Sequence, residues 1–387
     1  MRVAIVHDYL AQAGGAERVV EAMHDIWPDA PIYTSIYDPE ATLPSFKTMD
    51  IRTSFLQKWA RREKIHKFAL PFYPAAFEQF DMSGYDVVLS STTGFAKGVI
   101  TGPETCHICY CHTPARFAWR YHEYIARGGY GKTTRRILPW LVHRLRSWDY
   151  NSAQRVDSFV ANSFNTARRI HKYYGREADV VYAPVDTRRF LPLSNGEHGD
   201  YLLVVARLVG YKRVDLAVEA CQRLGLPLRV VGTGPDSRKL RVLAGPNTEF
   251  LGHCSDTQVA ELLANCRAFL FPGEEDFGIA PLEAMASGRP VIAFRAGGAL
   301  ETVVEGETGL FFDQQTPESL MDAVHRLDSL LVYPARLRAH AERFDICAFQ
   351  SRLKSLVETR LEQHRAIYAS IAPPRQSLQM TGSGGRR

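Results

Sequence analysis

Residues 273–291 read Gly273-Glu274-Glu275-Asp276-Phe277-Gly278-Ile279-Ala280-Pro281-Leu282-Glu283-Ala284-Met285-Ala286-Ser287-Gly288-Arg289-Pro290-Val291, just after the apolar run Ala268-Phe269-Leu270-Phe271. That run has the length and composition of a parallel strand buried on both faces. Pro281 suits the first turn of a helix, where a missing N–H costs nothing. The helix is predicted to end near Ser287, with Gly288 as its stop and Pro290 beyond. Glu275 then lies in the strand-to-helix loop and Glu283 in the first turns, both at the carboxyl end of a strand, where open α/β sheets bind ligands. The backbone N–H groups of residues 277–280, among them Phe277, Gly278 and Ile279, are predicted to be open to polar ligand atoms. Taken alone, the two glutamates read as a solvated helix start with acids near the positive dipole end.

Outward from this stretch the chain repeats one pattern. Residues 3–6 form a buried strand, followed by His7 and Asp8 at its carboxyl end and by Gly14-Gly15 before a helical run. A strand, a glycine pair and a helix allow close backbone approach to a phosphate, though turn glycines would read the same. Further strands are predicted at 85–91, 107–111 and 158–163. His112 follows the second of these before Thr113-Pro114, and Ser163 is read as a helix cap. After the polar, glycine-rich break 194–200 the alternation resumes, with strand-bearing stretches at 201–206, 228–235, 248–252, 268–271 and 290–294 and a helix over 214–224. Alternating strands and helices predict an α/β protein with doubly wound parallel sheets. Arg207 and Lys212 bracket the loop after strand 201–206. A guanidinium fork and an ammonium point charge together suit a diphosphate, although two loop cations are also ordinary surface charge. Arg207 directly follows a buried strand, where full exposure is not expected.

The 387 residues are 45% hydrophobic and 23% charged, which suits two globular domains. A net charge of +5 favours an anionic ligand or surface. No arginine-rich arm, zinc-finger spacing or RNA-binding motif supports nucleic acid. Seven cysteines without framework spacing suggest reduced thiols. Cys106, His107, Cys109, Cys111 and His112 cluster, but without a second ligand group no metal is expected. No signal peptide or membrane-spanning run is read.

Glu275 and Glu283 with Phe277-Gly278, together with Ala206-Arg207-Leu208…Lys212-Arg213-x-Asp215, Val231-Gly232-Thr233-Gly234 and Gly297-Gly298-Ala299-Leu300-Glu301, resemble the ordered motifs of retaining glycosyltransferases of family 4 over about residues 3–345. That resemblance implies two Rossmann-like domains facing a cleft (GT-B). The domains expected are 1–193 on the acceptor side and 200–345 for the nucleotide sugar, with a helix over 346–372 crossing back and a disordered tail over 373–387.

The resemblance also implies roles. Glu275 would contact the donor sugar and Glu283 the nucleotide ribose, whose hydroxyls donate well to a carboxylate. Arg207 and Lys212 would clamp the diphosphate, with Gly14, Gly15 and Gly232 beside the donor and Phe277, Gly278 and Ile279 lining its site. His7, Asp8 and His112 would face the acceptor. Cys111-His112-Thr113-Pro114 and His7-Asp8-Tyr9-Leu10 look most like bacterial mannosyltransferases of exopolysaccharide and O-antigen assembly. The implied donor is GDP-mannose, with UDP- or dTDP-sugars as alternatives, and a lipid-linked glycan is the implied acceptor. A phosphorylase and a non-catalytic nucleotide-sugar-binding module are weaker readings.

Residues 52–74 mix aromatic and basic side chains: Phe55, Leu56 and Trp59 against Lys58, Arg61, Arg62 and Lys64. Arg135-Arg136-Ile137-Leu138-Pro139-Trp140-Leu141 is a second such stretch. Both suit either an interfacial helix on an anionic membrane or a packing helix with a basic face. A cytoplasmic protein, peripheral at the inner membrane face, is the expectation.

Overall fold

A computed structural model describes residues 1–58, 69–121, 132–193 and 198–371. Two parallel sheets organise them, their inner strands short apolar runs buried on both faces. The first sheet contains β1 (Val3–His7), β2 (Ile32–Thr34), β3 (Ile51–Thr53), β4 (Val87–Thr92), β5 (Cys106–Cys111), β6 (Ser158–Ala161) and β7 (Ala178–Val180). Their spatial order is β3-β2-β1-β4-β5-β6-β7. The second contains β8 (Leu202–Val205), β9 (Leu228–Val231), β10 (Thr248–Gly252), β11 (Ala268–Phe271), β12 (Val291–Phe294) and β13 (Gly309–Phe312), in the order β10-β9-β8-β11-β12-β13. Each order reverses beside its first strand, and such a switch point opens a crevice at the carboxyl ends. The two-domain α/β architecture inferred from the alternating pattern is therefore present.

The helices that shape the crevice are α1 (Gly15–His24), α2 (Arg116–Trp119), α3 (Lys132–Gln154), α4 (Phe164–Tyr174), α5 (Val214–Leu224), α6 (Asp256–Asn265), α7 (Ile279–Ala286), α8 (Ala299–Thr302) and α9 (Ile346–Ile371). Ser163 caps α4 by accepting from Thr166 N at 3.0 Å, and Gly175 closes that helix at φ 66°. One apolar cluster runs from the first sheet through Tyr182, Phe277 and Phe344 into the second, so the domains share core at the crevice floor. Helix α9 packs Phe349, Leu353, Val357 and Leu361 inward and lies against α1 and β5. The chain crosses between domains twice. The crossings lie side by side, joined by a bridge between Val185 and Asp345, by Val185 N donating to Phe344 O at 2.9 Å, and by Thr187 Oγ1 donating to Asp345 at 2.6 Å.

Of the segment 52–74, the described residues 52–58 do not form the amphipathic helix considered above. Arg52 and Thr53 belong to edge strand β3, and Phe55–Lys58 forms a single 3₁₀ turn. Leu56 is fully buried with Tyr73 and Phe77 inside the first domain, and Phe55 is partly buried against the same cluster. Residues 59–68 lie outside the described residues, as do 194–197 of the expected linker and the tail 373–387. The second basic stretch lies on α3, where Leu138 is buried while Trp140 stays 60% exposed beneath the Arg144 guanidinium. No helix among the described residues is long and apolar enough to cross a membrane.

Candidate active site

The first domain contributes the ends of β1, β4 and β5. His7 Nδ1 lies 3.1 Å from Ser91 O and 3.2 Å from Ser91 Oγ, and its Nε2 faces Glu17 Oε1 at 3.7 Å. A carbonyl only accepts, so His7 donates through Nδ1. Ser91 Oγ continues to His112 Nε2 at 2.8 Å, giving a buried line Glu17–His7–Ser91–His112. Burial first, then the charge of His7, pushes His112 down to about 4, so its ring is neutral at physiological pH. Burial would raise the Glu17 carboxyl. The hydrogen bond and charge of His7, the Glu17 N–H and Gln12 outweigh that and hold it below the ordinary range.

Two residues assigned to the acceptor side are turned inward. Asp8 is buried and accepts from Thr92 Oγ1 (3.3 Å), Thr93 N (2.5 Å), Thr93 Oγ1 (2.8 Å), Phe95 N (2.8 Å) and Ala96 N (2.7 Å). Its carboxylate thus organises the loop after β4 and has no oxygen left for a sugar. His7 is only 2% exposed with its ring engaged, so it acts on the crevice through Ser91 and His112. The glycine pair is likewise narrower in use than expected. Gly14 N donates to Glu17 Oε2 at 3.0 Å in a capping box, which removes one N–H from any phosphate. Gly15 faces the other domain, where a Cβ would come within 3.0 Å of Ile279 Cδ1. The donor-side and glycine loops therefore touch across the crevice.

The second domain contributes the loops after β8 and β11. Arg207, expected to be partly covered, is exposed, and it opposes the burial that raises the Tyr9 phenol on the facing wall. Lys212 ends a 3₁₀ turn, half-buried, and its Nζ pairs with the Glu275 carboxylate. Gly297, at φ 62°, explains how the Glu275 loop is held. A Cβ there would sit 2.2 Å from Glu275 O, and Gly298 N donates to that same oxygen at 2.8 Å. Gly278 caps α7 at φ 92°, and the N–H groups of Ile279 and Ala280 stand in its first turn, where no intrahelical partner exists. Glu283 is half-buried on α7. Burial raises its carboxyl, against the nearby charges of Arg18 and Arg189.

Two donor-side assignments shift toward structure. The Phe277 ring is 3% exposed and stacks on Tyr182 at 5.6 Å, so only its backbone can face a ligand. Gly232 lets two strand ends meet, because a Cβ would lie 2.0 Å from Ala206 O.

What the sequence reading missed are the partners between domains. Arg116 and Arg169 bind Asp276, while Arg169 and Arg120 reach Glu274 at 2.8 and 3.4 Å. Arg18 pairs with Asp256 at 2.7 Å. Glu301 accepts from Phe164 N and Asn165 N, both at 2.8 Å, at the start of α4. Long-range ion pairs leave no spacing signal, so Glu274, Asp276 and Glu301 stood within quoted motifs without their partners being legible.

Among the described residues one group could offer three ligand atoms to a cation: Cys106, Asp157 and His364, within 4.8 Å of one another. His364 Nε2 lies 3.0 Å from Pro103 O, and Asp157 accepts from His107 N at 2.7 Å. Burial and then the Asp157 charge push the Cys106 thiol up to about 12, so it keeps its proton. The trio ties α9 to the edge of the first domain, away from the crevice.

Comparison with known proteins agrees with this geometry. Residues 13–189 match the family model described as Glycosyltransferase Family 4, and residues 191–343 match Glycosyl transferases group 1. Over 195 residues the chain is 31% identical to the GDP-mannose-dependent alpha-mannosyltransferase of Mycolicibacterium smegmatis, covering 48% of this chain and 50% of that protein. Over 221 residues it is 31% identical to the glycogen synthase of Mycobacterium tuberculosis, covering 52% of each. The chain spans about half the length, or less, of the curated relatives it matches. The solved Anabaena HepE in complex with UDP-glucose shares the fold at 16% identity and TM-score 0.68, covering 93% of this chain and all of that one. Sucrose-phosphate synthase from Thermosynechococcus elongatus does so at 17% and 0.63, covering 96% and 99%. Two facing parallel-sheet domains, family models over both and the paired loop motifs between them together make this chain a member of glycosyltransferase family 4 with the GT-B fold.

Proposed function

We propose that the protein is a retaining hexosyltransferase that moves mannose from GDP-mannose onto a polyprenyl-diphosphate-linked glycan in bacterial polysaccharide assembly. The observation that carries the reading is the Lys212–Glu275 pair, half-buried at the carboxyl ends of β8 and β11 with exposed Arg207 beside it. Transfer leaves a nucleoside diphosphate, so charge grows on the β-phosphate. Arg207 and Lys212 stabilise that charge, with the free N–H groups at the start of α7 adding their dipoles. Glu275 exchanges Lys212 for the sugar hydroxyls when the donor arrives, and Glu283 takes the ribose. Neutral His112 hydrogen-bonds the sugar or acceptor near the reacting carbon. Fixed cations make a metal unnecessary in this scheme, and activity should persist in EDTA. The domains divide the work, with residues 1–193 meeting the acceptor and 200–345 the donor.

The mannosyl choice is supported by the Mycolicibacterium relative, and the runner-up is a UDP-sugar, the ligand class named for HepE. Melting-temperature shifts across a panel of sugar nucleotides decide between them, since a ligand at about 100 times its Kd adds about 2.7 kcal/mol. A shift with UDP-glucose and none with GDP-mannose overturns the donor. Turnover unchanged in Glu275→Ala overturns the site. Exposed Trp140 beside Arg136 and Arg144 supports docking on anionic lipid at the inner membrane face, read out by salt-sensitive cosedimentation with anionic but not neutral vesicles.

A further inference from the structure

The loop that presents Glu275 is held from the opposite domain. Its two neighbours in sequence, Glu274 and Asp276, both turn their carboxylates across the crevice. Asp276 is 6% exposed and accepts from Arg116, through Nε at 3.1 Å and through Nη2, and from Arg169. Glu274 accepts from Arg169 at 2.8 Å. Ser163 Oγ, at the cap of α4, donates to the Asp276 carbonyl at 2.7 Å. Arg116 also lies 4.8 Å over the Tyr211 ring, next to Lys212. A carboxylate this covered is costly to keep charged without partners, and the two guanidinium groups meet that cost only while the domains are together.

We propose that Arg116, Arg169 and Asp276 are positioning residues for sugar transfer: their grip across the crevice sets Glu275 against Lys212, so donor-sugar engagement depends on domain closure. The inference rests on the reading of Glu275 and Lys212 as donor-site groups. Residues 274–276 are consecutive, so displacing the carboxylates on either side moves the Glu275 backbone between them. The Arg116–Tyr211 stack acts on the other partner, bringing the Lys212 turn to the same arginine. One guanidinium therefore touches both loops that meet the sugar diphosphate.

A test separates sugar engagement from nucleotide binding. GDP and GDP-mannose, and in parallel UDP and UDP-glucose, are titrated against full-length wild type, Arg169→Ala, Asp276→Asn, the double variant and Arg169→Lys. Nucleotide release from the sugar nucleotide is followed in each. The grip predicts nucleoside diphosphate affinity within about twofold of wild type. It also predicts loss of sugar-nucleotide turnover between about tenfold and 10²-fold, the scale of a 1 Å misplacement. The double variant should lose less than the product of the two single losses, because the Arg169–Asp276 contact that both share is removed only once. Arg169→Lys, which keeps charge without the fork, should fall between. Equal losses for diphosphate and sugar nucleotide would show general damage and overturn the proposal, as would wild-type turnover or additive losses. Glu275→Gln is the control for the underlying reading. If it spares turnover, the site itself is wrong; if it abolishes turnover while the arginine and aspartate variants stay active, only the grip is wrong.

Discussion

The two walls of the crevice solve opposite problems. On the first, the polar groups are buried and satisfied by one another: Asp8 by the loop after β4, and His112 by Ser91, which His7 and Glu17 support. On the second, Arg207 is exposed, Lys212 and Glu275 are half-buried, and Glu283 carries a raised carboxyl that its own domain does not relieve. The contrast teaches where ligand charge is met. The first wall is preorganised and neutral at its tip; the second holds the unbalanced charge that an anionic, hydroxyl-rich ligand would complete.

The comparison breaks most visibly at Asp8. Asp8→Ala removes a charged acceptor from several buried donors at once, and a loss of roughly 3–5 kcal/mol is expected in urea unfolding. A variant as stable as wild type would show that the first wall is not the rigid one. Next in size is Lys212→Ala, expected to lower the transfer rate by on the order of 10²–10³ with stability nearly unchanged, measured as nucleotide release. Equal, slight effects from Lys212→Ala and Arg207→Ala would remove the charge clamp.

Acid sharpens the contrast further. Burial holds His107 near about 3 and His112 near about 4, both below the ordinary 6.5. Between roughly pH 6.5 and pH 3, and down to about pH 4 for His112, the unfolded chain therefore binds protons that the folded chain refuses. Their contribution is complete above that window and is lost as pH falls through it. The expected loss for His112 is on the order of 2 kcal/mol from pH 7 to pH 5, and His112→Gln should flatten the curve in urea titrations at the two pH values. The smallest effect belongs to Glu283→Gln, which removes a costly half-buried charge. It should hold or raise the melting temperature while weakening donor affinity about tenfold, a split that a merely structural residue would not give.

How far the sequence carried this picture varies by element. Strands β1, β4, β5, β8, β9, β11 and β12 are apolar runs bounded by turn residues, and α5 occupies the very residues its periodicity predicted. By contrast β2, β3 and β7 are three residues each, too short for a period, and Arg52 and Thr53 of exposed β3 lack any buried pattern. Glu275 and Lys212 were legible because each follows a strand end, and the fold carries such loops to one crevice. Their ion pair was not legible, nor was the inward turn of Asp8, because hydrogen-bond partners 84 to 88 positions away leave no trace in local spacing. Arg207 misled for a related reason: adjacency to a buried strand fixes where a residue begins, not which way its side chain leaves the sheet.

The paired crossings between the domains have a mechanical consequence. Because Val185 and Asp345 are bridged, the two connecting strands of chain behave as the leaves of one pin, not as two independent tethers. Sliding one domain over the other would shear that bridge and the Thr187–Asp345 bond together, whereas rotation about the line joining them leaves both intact. The softest motion available is therefore a swing on a single axis. A swing of that kind would part loop 274–276 from the start of α4 only by breaking the Ser163 and Arg169 contacts to Asp276.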